Sequence, residues 1–245
     1  MAGSNIIYEN TKIPMDNDID SVGHSTRPYV LLNMVQSADG KTAIEGKASR
    51  LGTDIDRSVM RDLRSRADAV MVGGGTVRAE RLSLSLDPED ARTVPRAVIL
   101  TNTGDLPLEG NLVRDQRQEV LVLLSERADK DAERHLGRLA EIRRVPATQS
   151  GAIDVANALE IMKSSYGIDI LLCEGGQALN HALISSDLAD ELFVTMAPLL
   201  VGTNSSEQPA VLLKDRPGGP KALHLISSQV AGEELFLRYS IERHP

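Results

Sequence analysis

The chain has 245 residues, 41% hydrophobic and 25% charged, the balance of an ordinary globular protein with room for a sizeable core and unlike disordered, collagen-like or coiled-coil sequences. A formal net charge of −8 argues against a surface built to neutralise phosphates, and four Tyr, two Phe and no Trp are too few for base-stacking platforms, so nucleic acid is not expected as a partner. The single cysteine, Cys173, allows neither an internal disulfide nor a structural zinc site and suits a reducing cytoplasm; no apolar run approaches the ~18 residues of a membrane span.

Residues 1–27 read as a loose polar arm without the basic start or apolar stretch of a signal peptide. Asp16, Asp18 and Asp20 alternate there, but the closing Glu and central Gly of a calcium loop are missing, and no metal is expected. From residue 28 to 245 the sequence reads as one domain in which strands and helices alternate. Strands are predicted at 29–36, 69–72, 97–100, 120–124, 142–145, 170–173, 192–197 and 234–241. Thr53-Asp54 caps a helix with Ile55, Val59, Met60 and Leu63 on its apolar face, and further helices are predicted over 129–139, 155–166 and 178–188. Gly218, Gly219 and Pro220 mark a turn before a final hairpin-like pair. This alternation implies an α/β fold with a mostly parallel sheet and helices on both faces.

Two glycine turns follow strands directly. Gly73, Gly74 and Gly75 precede Thr76; Gly175 and Gly176 follow Glu174 and lead into a helix at about Gln177. Glycine lets the backbone approach a phosphate, and a helix start offers N–H groups to an anion, although each turn alone also reads as a plain strand-to-helix connection. Neither fits the G-x-G-x-x-G fingerprint, since Arg78 and Ala79 stand where the last glycine would be. Two such turns in one sheet favour a dinucleotide laid across strand ends. At the end of the first strand, Ser37, Asp39 and Gly40 form a polar turn.

In order along the chain, RPYVLLNMVQSADGKTA, LRSRADAVMVGGGTVRAE, ILLCEGGQAL and LADELFVTMAPLLVG resemble the reductase of riboflavin biosynthesis, the RibD C-terminal domain in its stand-alone form, which has a dihydrofolate reductase-like fold. The resemblance implies an NADPH-dependent oxidoreductase that reduces the ribosyl group of a phosphorylated pyrimidine to ribityl, and a homodimer. It assigns Ser37, Asp39 and Gly40 to the nicotinamide end, with Ser49, Arg64 and Leu84 at the substrate. Glu174, facing substrate, and Asp39 are the catalytic candidates. Gly73, Gly74, Gly75, Thr76, Glu80, Thr101, Gly175, Gly176, Gln177 and Ala178 would hold the cofactor, with Arg127 and the 101–103 turn as candidates for selecting NADPH.

The chain departs from the family pattern after its glycine turn. Glu80 replaces an Asp, Leu82 replaces a Pro, Asp87 stands where a phosphate-binding Arg is expected, and Leu51 replaces an aromatic. Arg78, Arg81 or Arg92 would then have to supply the phosphate's counter-charge. A pteridine such as dihydrofolate is the alternative substrate, and a cofactor-binding protein without catalysis is the alternative from another class. The H-x-E and P-C-x-x-C motifs of the zinc deaminase that accompanies the bifunctional form are missing, so deamination is not expected. The strands near 192–197 and 234–241 read equally well as interior strands or as a dimerising edge.

Overall fold

Most of the predicted strands are short apolar runs, and the computed structural model shows why: the central ones lie inside a sheet covered on both faces. The structure describes residues 24–80, 84, 94–107, 117–137, 140–202, 211–213 and 219–243. Chain order runs β1 (Tyr29–Ser37), α1 (Asp54–Ser65), β2 (Ala69–Gly73), α2 (Gly74–Glu80), β3 (Arg96–Thr101), β4 (Val120–Ser125), α3 (Lys130–Leu136), β5 (Glu141–Val145), α4 (Val155–Tyr166), β6 (Ile170–Cys173), α5 (Gln177–Ser185), β7 (Glu191–Ala197), β8 (Leu223–Ala231) and β9 (Glu234–Ile241).

The strands form one sheet in the order β5-β4-β3-β2-β6-β1-β7-β9-β8. Neighbours from β5 to β7 pair parallel, while β9 runs antiparallel to both β7 and β8. Side chains alternate across the sheet. Val30, Leu32, Ala69 and Met71 pack with α4 and α5 on one face. Leu31, Val70 and Val72 pack with Leu63, Val77 and Leu136 on the other. The expected α/β architecture with helices on both faces is therefore present.

Local signals set the helix ends. Thr53 caps α1 through Ile55 N at 3.1 Å, and Asp154 caps α4 through Ala156 N at 3.0 Å. Gly167, at φ +64°, ends α4. α5 stops at Ser185, short of the expected 188, because the chain turns at Ser186 and at Asp187, whose φ is +54°. The arm expected over 1–27 is anchored before its end. His24 Nε2 lies 3.1 Å from Asp190 Oδ1, and Arg27 donates to both Asp190 oxygens at 2.7 and 2.8 Å. Burial alone would raise the Asp190 pKa, but hydrogen bonds from Arg27 and Val30 N hold it below the ordinary value. Residues 1–23 lie outside the described part.

The two strands weighed as a dimerising edge are both interior, β7 between β1 and β9, and β9 between β7 and β8. Both are apolar because both are covered. The edge on this side is β8.

The topology also places the site. From β1 the chain crosses to β2, builds β3 to β5 outward, and returns to insert β6 between β2 and β1 before β7 joins the far side of β1. Crevices at the carboxyl ends of strands around such a reversal are where open α/β sheets bind ligands.

Candidate active site

The two glycine turns meet at this reversal. Gly73 N donates to Gly175 O at 2.8 Å, and Glu174 N donates to Met71 O at 2.9 Å. Two of the glycines leave no room for a side chain: a Cβ on Gly176 would sit 2.8 Å from Thr76 Oγ1, and one on Gly74 3.0 Å from Thr101 Oγ1. Gly175 has φ +81°, which glycine adopts without steric cost, and the Gly175–Gly176 peptide is cis.

A cavity opens on each side of the paired turns. The first, about 210 Å³, is lined by Ser49, Asp56, Arg57, Met60, Arg64, Thr76, Glu80 and Glu174, with Asn33 and Met34 from β1. The second, about 330 Å³, is lined by Gly73, Gly74, Gly75, Arg78, Thr101, Asn102, Thr103 and Ala178. α5 starts at Gly176 with no side chain capping it, and Ala178 in its first turn borders the second cavity. Bare backbone at two turns and an uncapped nine-residue helix start suit the diphosphate of a dinucleotide.

Arg64 and Glu174 dominate the first cavity. Arg64 donates from Nε and Nη2 to the two Glu174 oxygens, both at 2.7 Å, with the side chains only 5% and 10% exposed. The fork geometry fixes the carboxylate at the mouth of β6. Glu80 accepts from Ala48 N at 3.0 Å, which holds the short 48–50 helical turn and Ser49 at the rim.

Of the residues expected here, the structure brings Ser49, Arg64, Thr76, Glu80 and Glu174 to the first cavity and Gly73, Gly74, Gly75, Thr101 and Ala178 to the second. Glu80, expected on the cofactor, thus stands with the residues expected on substrate. Gly175, Gly176 and Gln177, at the start of α5, line neither cavity. Thr101 also accepts from Gly104 N at 3.2 Å.

Leu84, Asp39 and Arg127 likewise stand apart from the two cavities. Leu84, expected on substrate, is 0% exposed inside the core that packs α1, α2 and α3 on the sheet, because an isobutyl side chain gains more from burial than from a polar pocket. Asp39, expected as catalytic, latches a loop. It accepts from Ser37 Oγ at 2.6 Å, Val201 N at 3.1 Å and Gly202 N at 2.8 Å, and neither it nor Ser37 lines the cavities. Gly40, at φ +78°, closes that turn through its N–H to Ser37 O. Arg127 donates to Thr148 O at 3.3 Å and lines neither cavity. Arg78 does border the second cavity while holding Asp105 O at 2.7 Å; Arg81, Leu82, Asp87 and Arg92 lie outside the described residues.

The Ser37 hydroxyl, then the Val201 and Gly202 N–H groups, hold Asp39 down at about pKa 2. Because this value is depressed from 3.8, the latch is at full strength above pH 3.8 and is lost as pH falls through about 2. Asp39→Asn is therefore expected to flatten the acid limb of an unfolding curve between those values; a limb unchanged from wild type would contradict the latch.

Sequence reasoning missed Asp56. It stands on α1 with Met60 and Arg64 at successive four-residue steps, a spacing that puts all three on one helix face, and all three line the first cavity. Walking back from Arg64 in steps of four would have found it.

The RibD C-terminal domain family model matches residues 28–237. The chain belongs to that family. A 2,5-diamino-6-ribosylamino-4(3H)-pyrimidinone 5′-phosphate reductase of Methanothermobacter thermautotrophicus is 30% identical over 226 residues, covering 88% of this chain and 99% of the relative. One of the same name from Archaeoglobus fulgidus is 30% identical over 190 residues, covering 74% and 84%. Among solved structures, a pyrimidine reductase-like protein of Corynebacterium diphtheriae superposes with TM-score 0.74 at 19% identity, covering 89% of this chain and 93% of that one. Acinetobacter baumannii RibD superposes with TM-score 0.72 at 23% identity, covering 89% of this chain and 59% of that longer one. These likenesses give the domain the riboflavin-reductase fold.

Proposed function

We propose that the protein is the NADPH-dependent reductase that converts the ribosyl group of a phosphorylated ribosylaminopyrimidine to ribityl. The reading rests on the paired glycine turns that border both cavities, with the Arg64–Glu174 pair in the first. Glycine backbone and the start of α5 would take the diphosphate in the second cavity, and Thr76 and Glu174 would stand where substrate and nicotinamide meet. NADPH, when bound, supplies the hydride. The protein's own part is to hold ribosyl carbon and donor together and exclude water. Glu174, fixed by Arg64, accepts hydrogen bonds from ribose hydroxyls. Arg57, 47% exposed at the rim of the first cavity and paired there with Asp54 at 2.6 Å, would exchange that carboxylate for the substrate phosphate.

We also propose a homodimer built on β8, whose Leu223, Leu225, Ile226 and Val230 are between 42% and 57% exposed along the sheet edge. Cys173 is fully buried and its thiol is pushed up to about pKa 12 by that burial, which fits an inert structural thiol in a reducing cytoplasm.

The test is NADPH oxidation followed at 340 nm with the ribosylaminopyrimidine phosphate and, in parallel, with dihydrofolate. Turnover on the pyrimidine is expected. Turnover on dihydrofolate alone would replace this reading by the pteridine one, and NADPH binding without turnover on either would leave a binding protein.

A further inference from the structure

Reducing a ribosylamine to a ribityl group needs more than a hydride. The C1′–O4′ bond of the ribose must break, and the departing ring oxygen must receive a proton. The acids of the first cavity differ in what they can give. Glu174 presents both oxygens to Arg64 Nε and Nη2. Glu80 accepts from Ala48 N. Both are acceptors in place.

Asp56 is placed differently. Its carboxylate lies over Gly52, where a Cβ would overlap Asp56 Oδ2, so glycine at 52 is what leaves it room. Thr195, buried on β7, is near enough to favour its charged form. The groups around it are mostly negative. Glu234 of β9 is 1% exposed and fastened to the α1 cap through Thr53 Oγ1 at 2.6 Å, and Glu174 stands in the same cavity with Glu80. Arg57 and Arg64 on α1 are the facing cations, and Arg64 is paired with Glu174.

We propose that Asp56 is the proton donor of the reduction, delivering its carboxyl proton to the ribose ring oxygen as the C1′–O4′ bond breaks. The inference rests on the reductase reading above. The bonding pair of C1′–O4′ leaves with oxygen and takes the proton, and the exocyclic nitrogen's lone pair closes a C1′=N iminium. The hydride supplied by the reduced nicotinamide enters at C1′, and the π pair returns to nitrogen. Asp56 regains its proton from solvent, so each ribityl formed consumes one NADPH and one proton. Burial first, then the carboxylates of Glu234 and Glu174, against the opposing Thr195 and Arg57, push the Asp56 carboxyl up to about pKa 6. It thus keeps a protonated fraction near neutrality, as a general acid requires.

Wild type, Asp56→Asn and Asp56→Glu are compared for kcat and kcat/KM across pH with the pyrimidine, for NADPH affinity by fluorescence titration, and for carboxyl titration by 13C NMR of Asp-labelled protein. Wild-type kcat/KM is expected to fall about tenfold per pH unit above pH 6, as the acid form is lost. Asp56→Asn should lower kcat at least about 100-fold and abolish that limb, with NADPH affinity within about twofold, and Asp56→Glu should restore part of the rate. Its spectrum should lose a carboxyl titrating near pH 6. An Asp56→Asn enzyme with wild-type kcat, or with the limb intact, overturns the assignment while the reductase reading stands. A wild type inert on the pyrimidine overturns the reductase reading instead. No Asp carboxyl titrating near pH 6 overturns the Asp56 assignment in either case.

Discussion

Glu174→Ala is expected to lower turnover at least about 100-fold and to lower Tm by roughly 6–20 °C. Both effects have one cause. Arg64 is 5% exposed and gives two hydrogen bonds of 2.7 Å to the Glu174 carboxylate. Breaking a buried ion pair by removing one partner costs about 3–5 kcal/mol. It also removes the acceptor fixed at the end of β6 where substrate is expected. Arg64→Ala should behave similarly for the mirror-image reason. Function and stability separate in the double variant Arg64→Met with Glu174→Leu, which replaces the pair by apolar groups: thermal stability should largely recover while turnover stays lost. A double variant that regains turnover would leave the pair a purely structural role.

Gly74→Val is expected to weaken NADPH binding at least about tenfold and to destabilise the protein by about 1–3 kcal/mol. A Cβ there would meet Thr101 Oγ1 at 3.0 Å, Thr101 Cβ at 3.1 Å and Leu106 Cδ2 at 3.2 Å, before the two valine methyls are counted. The turn would have to shift against β3 and would carry its neighbours Gly73 and Gly75 with it. Those glycines form one wall of the second cavity. Gly219→Ala is the control, since a Cβ there would meet nothing within 4 Å and the residue lines neither cavity. Normal NADPH affinity in Gly74→Val, by fluorescence titration, would remove the turn from the cofactor site.

Which parts of this were legible in the sequence follows from the range of the interactions. The bounds of α4 and β6 can be read because each depends on neighbours in the chain: Asp154 and Gly167 cap one, and four apolar residues between Asp169 and Glu174 make the other. The glycine turns were legible for the same reason, as runs of glycine between a strand and a helix mark a tight turn wherever they occur. Interior position was not. β7 and β9 carry the same apolar text an edge would, and only the order of strands shows which face a neighbour covers.

The misread site residues all depend on partners far along the chain. Asp39 looks like a pocket acid until Val201 and Gly202 fold back onto it. Leu84 matches a substrate-binding motif but is buried between α2 and the sheet. Asp56 stands in the first turn of α1, where an acid is favoured by the helix dipole and so attracts no notice. Its raised pKa comes from burial and then from Glu234, on a strand that follows more than a hundred residues later.

The measurement that tests the central claim most directly is isotope transfer from NADPH deuterated at the transferring position of nicotinamide C4, with the ribosylaminopyrimidine phosphate as acceptor and the product examined by mass spectrometry and NMR. One deuterium at C1′ of a ribityl product is the predicted result, since it requires the reduced nicotinamide and the ribosyl carbon to meet directly in one site. Turnover that leaves C1′ unlabelled, or no ribityl product while dihydrofolate is reduced, would contradict it.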